Sequence, residues 1–162
     1  MNLVVTGATS FLGAPMAEYC LEQGHRVFAV VRPASKNMAQ AEALQMRFPS
    51  RMVLIPMNLE DLEKIPELVK APCQVWIHFG WDGAGSGNRT QQAIQQKNVG
   101  DSLCALKGAA ALGCRRFLFS GSQAEYGIRD SLMKETDSCH PVSEYGKAKV
   151  EFYRQAVSWL RQ

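Results

Sequence analysis

The chain has 162 residues, of which 46% are hydrophobic and 20% are charged, a size and composition typical of one soluble domain with its own core. Its net charge is only +3 and no basic run concentrates it, so nucleic acid is not expected as a partner. No apolar run approaches the ~20 residues needed to cross a membrane, and the first residues lack a signal-peptide pattern, so a cytoplasmic location is expected.

Short apolar segments alternate with amphipathic ones along the whole chain, and the two patterns predict strands and helices. In chain order the predicted elements are a strand at 2–6, a helix at 11–23, a strand at 25–31, a helix at 36–47, a strand at 51–56, a helix at 62–69, a strand at 74–79, a helix at 91–112, a strand at 115–120 and a helix from 143 to the end. Helical crossovers of this length join parallel strands, which are then buried on both faces. The expected fold is an α/β doubly wound parallel sheet with strand order 3-2-1-4-5, forming one domain over residues 1–162.

The turn between the first strand and the first helix is rich in small residues and predicts a dinucleotide site. Gly7 would form the tight turn, and Gly13 would allow close contact between helix and strand, so that N–H groups at the helix start face a pyrophosphate. Ser10 stands where such a turn has its middle glycine, and its hydroxyl could itself reach a phosphate. A turn of small residues without a ligand is the alternative. The predicted cofactor-binding residues here are Gly7, Thr9, Ser10, Phe11, Leu12 and Gly13.

The end of the second strand bears on which dinucleotide binds. An NAD-preferring site places Asp or Glu there for the ribose 2′-hydroxyl, whereas this chain has Val31 followed by Arg32. Arg32 could stack on adenine and pair with a 2′-phosphate, so we expect NADP to be preferred and NAD to be possible. A solvated arginine at a strand end is the alternative. Asn58 and Leu59, at the end of the third strand, are expected to flank the adenine.

The last predicted helix contains a tyrosine and a lysine four residues apart. Tyr145 and Lys149 match the pattern YxxxK, and residues with this spacing share one face of a helix. A nearby ammonium favours the phenolate form of a tyrosine and so makes it a better acid and base at neutral pH. The pattern alone is weak, but Ser122 follows the fifth strand, whose carboxyl end is expected to line the ligand crevice.

The glycine turn, the strand-end serine and YxxxK, in this order on one alternating fold, resemble the extended short-chain dehydrogenase/reductase family. Within that family the resemblance is to the NAD(P)-dependent epimerase/dehydratase group, and it covers essentially the whole chain. It implies a Rossmann fold in which Ser122 orients the substrate oxygen, Tyr145 is the acid/base and Lys149 is its partner. It further implies that Tyr145 and Lys149 also bind the cofactor, with Lys149 holding the nicotinamide ribose. It also implies that Asn98, on the fourth helix, belongs to the catalytic set.

The same resemblance places the segment after the fourth strand beside the cofactor. Phe79, Gly80 and Trp81 are therefore predicted to line it, although this is not the usual small-residue sequence of the family. His78 is interpreted as a lining residue at the strand end rather than as an acid or base. The members of the family are longer than this chain, since later segments supply the remaining strands and the substrate-binding lobe. We therefore expect the chain to be the amino-terminal, cofactor-binding part of a longer protein.

The residues after Ser122 bear on the reaction. In the 4,6-dehydratases of this family, acidic side chains directly after the catalytic serine or threonine eliminate water, whereas Gln123 and Ala124 stand there in this chain. Glu125 comes one place later, which reverses the side-chain direction on an extended segment. We therefore expect hydride transfer at a carbinol or ketone carbon of a nucleotide-sugar or similar substrate, by an epimerase or a ketoreductase. A non-catalytic dinucleotide sensor or interaction module on the same fold is the alternative.

The sequence also bears on metal binding and on dimerisation. Five cysteines occur without a CxxC spacing, which predicts reduced thiols and no metal site. Members of the family commonly dimerise through two long helices of each subunit, and the candidates here are the segments 91–112 and 143–159. A homodimer through these helices is therefore possible, and no membrane partner is expected.

Overall fold

The computed structural model describes residues 1–161, with the Ser86 side chain left out of the description. The chain divides into two compact units. Unit 1 consists of Met1–Gly80 and Cys104–Phe119, and unit 2 consists of Trp81–Leu103 and Ser120–Gln162. Each unit is described by itself.

Unit 1 contains one parallel sheet of five strands in the order β3-β2-β1-β4-β5, so the predicted topology is confirmed. Each predicted strand is present, and all but the first are shorter by one residue at one or both ends. The strands are β1 (Asn2–Thr6), β2 (Arg26–Val31), β3 (Met52–Pro56), β4 (Val75–His78) and β5 (Arg116–Phe119).

The helices follow the predicted pattern with one clear difference. They are α1 (Gly13–Glu22), α2 (Met38–Arg47), α3 (Ile65–Leu68), α4 (Gln92–Ala111) and α5 (Glu144–Leu160). The helix predicted at 62–69 is instead a 3₁₀ helix at Leu59–Lys64 followed by the single turn of α3. Pro66 explains this, because proline lacks the N–H that an α-helix needs beyond its first turn. Within residues 1–161, no helix is long and apolar enough to cross a membrane.

The sheet of unit 1 is buried on both faces, as a doubly wound fold requires. Leu3 and Val5 of β1 belong to the core cluster that includes Leu21 of α1, whereas Val4 belongs to a second cluster that includes Ala105 and Ala109 of α4. Successive side chains of a strand point to opposite faces, so helices cover both sides of the sheet. This explains why the strands are almost continuously apolar.

Unit 2 contains α5 and the residues 92–103 of α4, together with two short 3₁₀ helices at Ser86–Asn88 and Gln123–Glu125. The Ser143 hydroxyl caps α5, because its oxygen accepts from the N–H of Gly146 at 3.1 Å. A Cβ atom on Gly146 would strike the carbonyl oxygen of Ala124, so the absence of a side chain lets α5 approach the segment that carries Ser122.

Candidate active site

The glycine turn of unit 1 has the tight geometry that the sequence predicts. Gly7 has a φ of +66°, which favours glycine, and a Cβ atom there would lie 2.8 Å from the carbonyl carbon of Phe79. A Cβ atom on Gly13 would strike the carbonyl oxygen of Gly7. The two glycines thus let the start of α1 and the segment after β4 pack directly against the backbone of the turn. The cofactor-binding role of these residues stays a prediction.

Ser10 closes this turn in a way that a glycine could not. Its N–H donates to the carbonyl of Gly7 at 2.8 Å, and its hydroxyl oxygen accepts from the N–H of Gly13 at 3.0 Å. One donor at the start of α1 is therefore already satisfied, while the hydroxyl proton of Ser10 can be donated to a phosphate. Phe11 is 92% exposed and Leu12 is 54% exposed, so neither side chain belongs to the core of unit 1.

The loop after β2 lies against the glycine turn. The Thr9 hydroxyl accepts from the Ser35 hydroxyl at 2.9 Å, and the Thr9 carbonyl accepts from the Asn37 amide at 2.9 Å. Val31 is buried at the end of β2, and Arg32, the next residue, is exposed. Arg32 therefore lies directly after the end of β2, in a loop that hydrogen bonds attach to the glycine turn.

The neighbouring strand ends of unit 1 carry the other predicted lining residues. Asn58 is exposed, but Leu59 is only 5% exposed and packs in the core, where a Cβ atom on Gly80 would lie 2.5 Å from its Cδ2. His78 is 1% exposed, and its Nδ1 lies 2.7 Å from the Thr6 hydroxyl oxygen. Leu59 is thus first a core residue, and His78 is a buried residue at the end of β4.

Unit 2 brings the predicted catalytic pair together. Lys149 Nζ lies 5.6 Å from the ring centroid of Tyr145, and the two side chains are 1% and 8% exposed. The Trp81 ring meets the Tyr145 ring edge-on, with 5.9 Å between centroids. The guanidinium carbon of Arg89 also lies over the Tyr145 ring, 4.9 Å from its centroid. Aromatic and cationic groups therefore surround the tyrosine.

The ammonium of Lys149 is held in a buried position. Its Nζ donates to the carbonyl oxygen of Ser120 at 3.0 Å and lies 3.8 Å from the ring centroid of Trp81. Burial lowers the pKa of Lys149 from 10.5 to about 7, and the charge of Glu125 opposes this shift. A lysine that exchanges its proton near neutral pH is typical of sites that carry out acid–base chemistry.

Ser122 begins the 3₁₀ helix at 123–125 and is fixed by a capping box. Its hydroxyl oxygen accepts from the N–H of Ala124 at 3.2 Å, and its own N–H donates to Glu125 Oε1 at 2.6 Å. Because the hydroxyl oxygen accepts from the backbone, its proton can be donated outward to a substrate oxygen. The half-buried position of Ser122 fits this role.

Two buried amides of α4 hold the loop that follows β4 in the chain. Asn98 is 1% exposed, and its Oδ1 and Nδ2 bond to the N–H and the carbonyl of Asp82, both at 2.8 Å. Gln95 is also 1% exposed and accepts from the Trp81 indole N–H at 2.9 Å. The described contacts of Asn98 thus make it an anchor of the loop, and its place in the catalytic set stays a prediction.

Sequence reasoning missed the roles that two residues have toward Lys149. Glu125 was considered only as a misplaced dehydratase acid, yet it caps the turn at Ser122 and its charge favours the ammonium of Lys149. The Ser-x-x-Glu spacing from Ser122 to Glu125 is a signal that could have revealed the cap. Trp81 was predicted to line the cofactor, but no sequence signal indicates that its ring lies on Lys149.

Comparison with known proteins gives the same assignment for the chain. Residues 3–162 match the family model of the NAD dependent epimerase/dehydratase family. The chain is 25% identical over 157 residues to a dTDP-6-deoxy-L-talose 4-dehydrogenase (NAD(+)) of Aggregatibacter actinomycetemcomitans, which covers 97% of this chain and 54% of that protein. It is 28% identical over 155 residues to UDP-arabinose 4-epimerase 1 of Arabidopsis thaliana, which covers 91% of this chain and 36% of that protein.

A solved structure confirms the fold. The UDP-glucose 4-epimerase of Stenotrophomonas maltophila, with bound NAD and formylated UDP-arabinopyranose, superposes with a TM-score of 0.83 at 20% identity, over 98% of this chain and 48% of that one. The chain therefore spans about a third to a half of the length of these proteins. Because the family model matches residues 3–162, the chain belongs to the NAD-dependent epimerase/dehydratase family.

Proposed function

We propose that the protein carrying this chain uses a nicotinamide dinucleotide to transfer a hydride at a carbinol or ketone carbon of a nucleotide sugar. The observation that carries the proposal is the buried Lys149 beside Tyr145 on one face of α5. The named relatives act on UDP- and dTDP-linked sugars, and this supports a substrate of that class. Epimerase and ketoreductase chemistry both use this step.

The residues of unit 2 would divide the work on the substrate oxygen. When bound, the nicotinamide supplies the carbon that accepts or donates the hydride. Tyr145 would exchange the proton of the substrate hydroxyl or ketone, and the positive charge of Lys149 would stabilise the phenolate that this leaves. Ser122 would donate its hydroxyl proton to the same substrate oxygen and orient it. The tight turn at Gly7 and the close approach of α1 at Gly13 support binding of the dinucleotide at the start of this helix.

The contacts of Glu125 support a reaction other than 4,6-dehydration. Gln123 and Ala124 offer no carboxylate after Ser122. The carboxylate of Glu125 accepts from the N–H of Ser122, which ties it into the turn. We therefore propose that the protein moves a hydride and a proton without eliminating water.

For the cofactor we propose a preference for NADP, although the named relatives include an NAD(+)-dependent enzyme. Arg32 follows the buried end of β2, and no carboxylate occurs from residue 31 to residue 37. A guanidinium there would attract a 2′-phosphate, and the missing carboxylate would leave the ribose diol of NAD without its usual partner.

We expect NADPH to bind the chain more tightly than NADH in a fluorescence titration. Arg32→Asp should narrow or reverse the preference, because it replaces the cation with a carboxylate. Arg115→Asp makes the same change of charge at an exposed residue before β5 and should leave the preference unchanged. Equal or tighter binding of NADH by the unaltered chain would refute the proposed preference.

The catalytic roles predict a contrast among three variants, measured as turnover of a UDP-sugar by the protein expressed from its entire reading frame. Tyr145→Phe should lower kcat by about 10²–10⁴-fold and leave cofactor affinity nearly unchanged. Lys149→Met should lower both kcat and cofactor affinity, because the family resemblance implies that Lys149 also binds the nicotinamide ribose. Ser122→Ala should lower kcat with little effect on cofactor affinity.

Tyr19→Phe is the matched control for the tyrosine, because Tyr19 lies on the surface of α1 and is 58% exposed. It should leave kcat and cofactor affinity unchanged. Full activity of Tyr145→Phe would contradict the proposed roles and would favour a dinucleotide sensor instead.

We also propose that the protein forms a homodimer through α4 and α5. Ala105 and Ala109 of α4 pack in the core of unit 1, so only the remaining surface of α4 is available for a partner. An open groove beside α5 is lined by Gln96, Pro141, Lys147, Val150, Glu151 and Arg154. The exposed large apolar side chains of α5 are Tyr153, Trp159 and Leu160.

Light scattering of the whole protein at micromolar concentration should therefore give the mass of a dimer. Tyr153→Asp should shift the mass towards the monomer, since it places a charge on the exposed face of α5, whereas Tyr19→Asp, at an exposed residue of α1, should not. A monomer for the unaltered protein would contradict the proposed interface.

A further inference from the structure

The indole ring of Trp81 faces the buried ammonium of Lys149. The distance from Lys149 Nζ to the ring centroid is 3.8 Å, well inside the ~6 Å range of a cation–π interaction. Such an interaction is stronger where the cation is removed from water, and the Lys149 side chain is 1% exposed. The ring therefore lies where it can stabilise the charge most.

The position of the indole is fixed from behind by Gln95. The amide nitrogen of Gln95 donates to the carbonyls of Gly83 and Asn88 at 3.1 and 3.0 Å, so its oxygen must face the other way. That oxygen accepts from the Trp81 indole N–H at 2.9 Å. Since Gln95 is 1% exposed, the pair forms a rigid support rather than a chance surface contact.

The charge of Lys149 needs such support. Burial lowers the pKa of Lys149, and the opposing carboxylate is Glu125 on the segment that follows β5. Tyr145 lies beside Lys149 on the same helix, and its ring also lies under the guanidinium of Arg89. Loss of a proton from Lys149 would remove the positive charge on which the proposed role of Tyr145 depends.

We propose that Trp81 is a positioning residue of the catalytic pair, whose indole face, held by Gln95, keeps the Lys149 ammonium charged and in place beside Tyr145. This role rests on the proposed function for its purpose, but it concerns one chemical property of the chain itself. It can therefore be tested without cofactor, substrate or turnover.

The test compares Trp81→Phe with Trp81→Leu by NMR titration of the lysine ε-methylene signals, with the Lys149 signal identified by its absence from Lys149→Met. The two new side chains have similar sizes, and both lack the indole N–H that donates to Gln95. The effects of added water and of the unpaired Gln95 oxygen on the pKa of Lys149 are therefore similar in the two variants and largely cancel when they are compared. Only phenylalanine keeps a ring face. The pKa of Lys149 should therefore be higher in Trp81→Phe than in Trp81→Leu by about half a unit to one unit. Equal values would overturn the proposal.

A second measurement remains decisive if either variant fails to fold. Replacing the three tryptophans of the chain with a multiply fluorinated analogue withdraws electron density from the ring faces at almost unchanged shape. The pKa of Lys149 should then fall, and Trp81→Tyr should abolish this response to fluorination. An unchanged pKa on fluorination would overturn the role of Trp81, whereas inactivity of the whole protein toward UDP-sugars would count only against the proposed function.

Discussion

The buried ammonium of Lys149 is the constraint on which the arrangement of unit 2 depends. A charged amine in a protein interior is costly unless polar or aromatic groups surround it. Two separate segments supply such groups here: the residues after β5 contribute the carbonyl of Ser120 and the carboxylate of Glu125, and the residues after β4 contribute the ring of Trp81. The features that fix these segments, such as the Gln95 amide, serve the same end.

Unit 1 meets a different requirement, which is to hold strand ends and a glycine turn in fixed places. Its sheet is covered on both faces, and burial of the strand faces specifies the register of the strands strongly. The turn at Gly7 then has little freedom, since a side chain there would meet the backbone at Phe79. Ser10 adds a hydroxyl to this turn, so a phosphate would meet a side-chain donor where a glycine would leave only backbone.

Much of the fold could be predicted from the sequence. Parallel strands buried on both faces give continuous apolar runs, and these runs are easily told apart from the amphipathic helices between them. The strand order followed from the alternation of strands with helices. The interruption before α3 was missed, although Pro66 signals it locally. At the site, the spacing of Tyr145 and Lys149 was visible, since four residues make one helical turn. The contact of Trp81 with Lys149 joins residues 68 positions apart and has no local pattern, so only the structure reveals it.

The central claim, that Lys149 is a buried charge maintained at the expense of stability, is tested most directly by the pH dependence of unfolding. The pKa of Lys149 is about 7 in the folded chain, against an ordinary value of 10.5 for an exposed lysine. Between these values the unfolded chain holds a proton that the folded chain has lost, so this residue makes the free energy of unfolding rise with pH, by up to about 1.4 kcal/mol per unit. Urea unfolding of the unaltered chain and of Lys149→Met from pH 6 to 10 should show the unaltered chain gaining stability relative to the variant above pH 7, and a constant difference below it. A difference that does not change with pH would show that the Lys149 amine is solvated as an ordinary lysine, and would contradict the account.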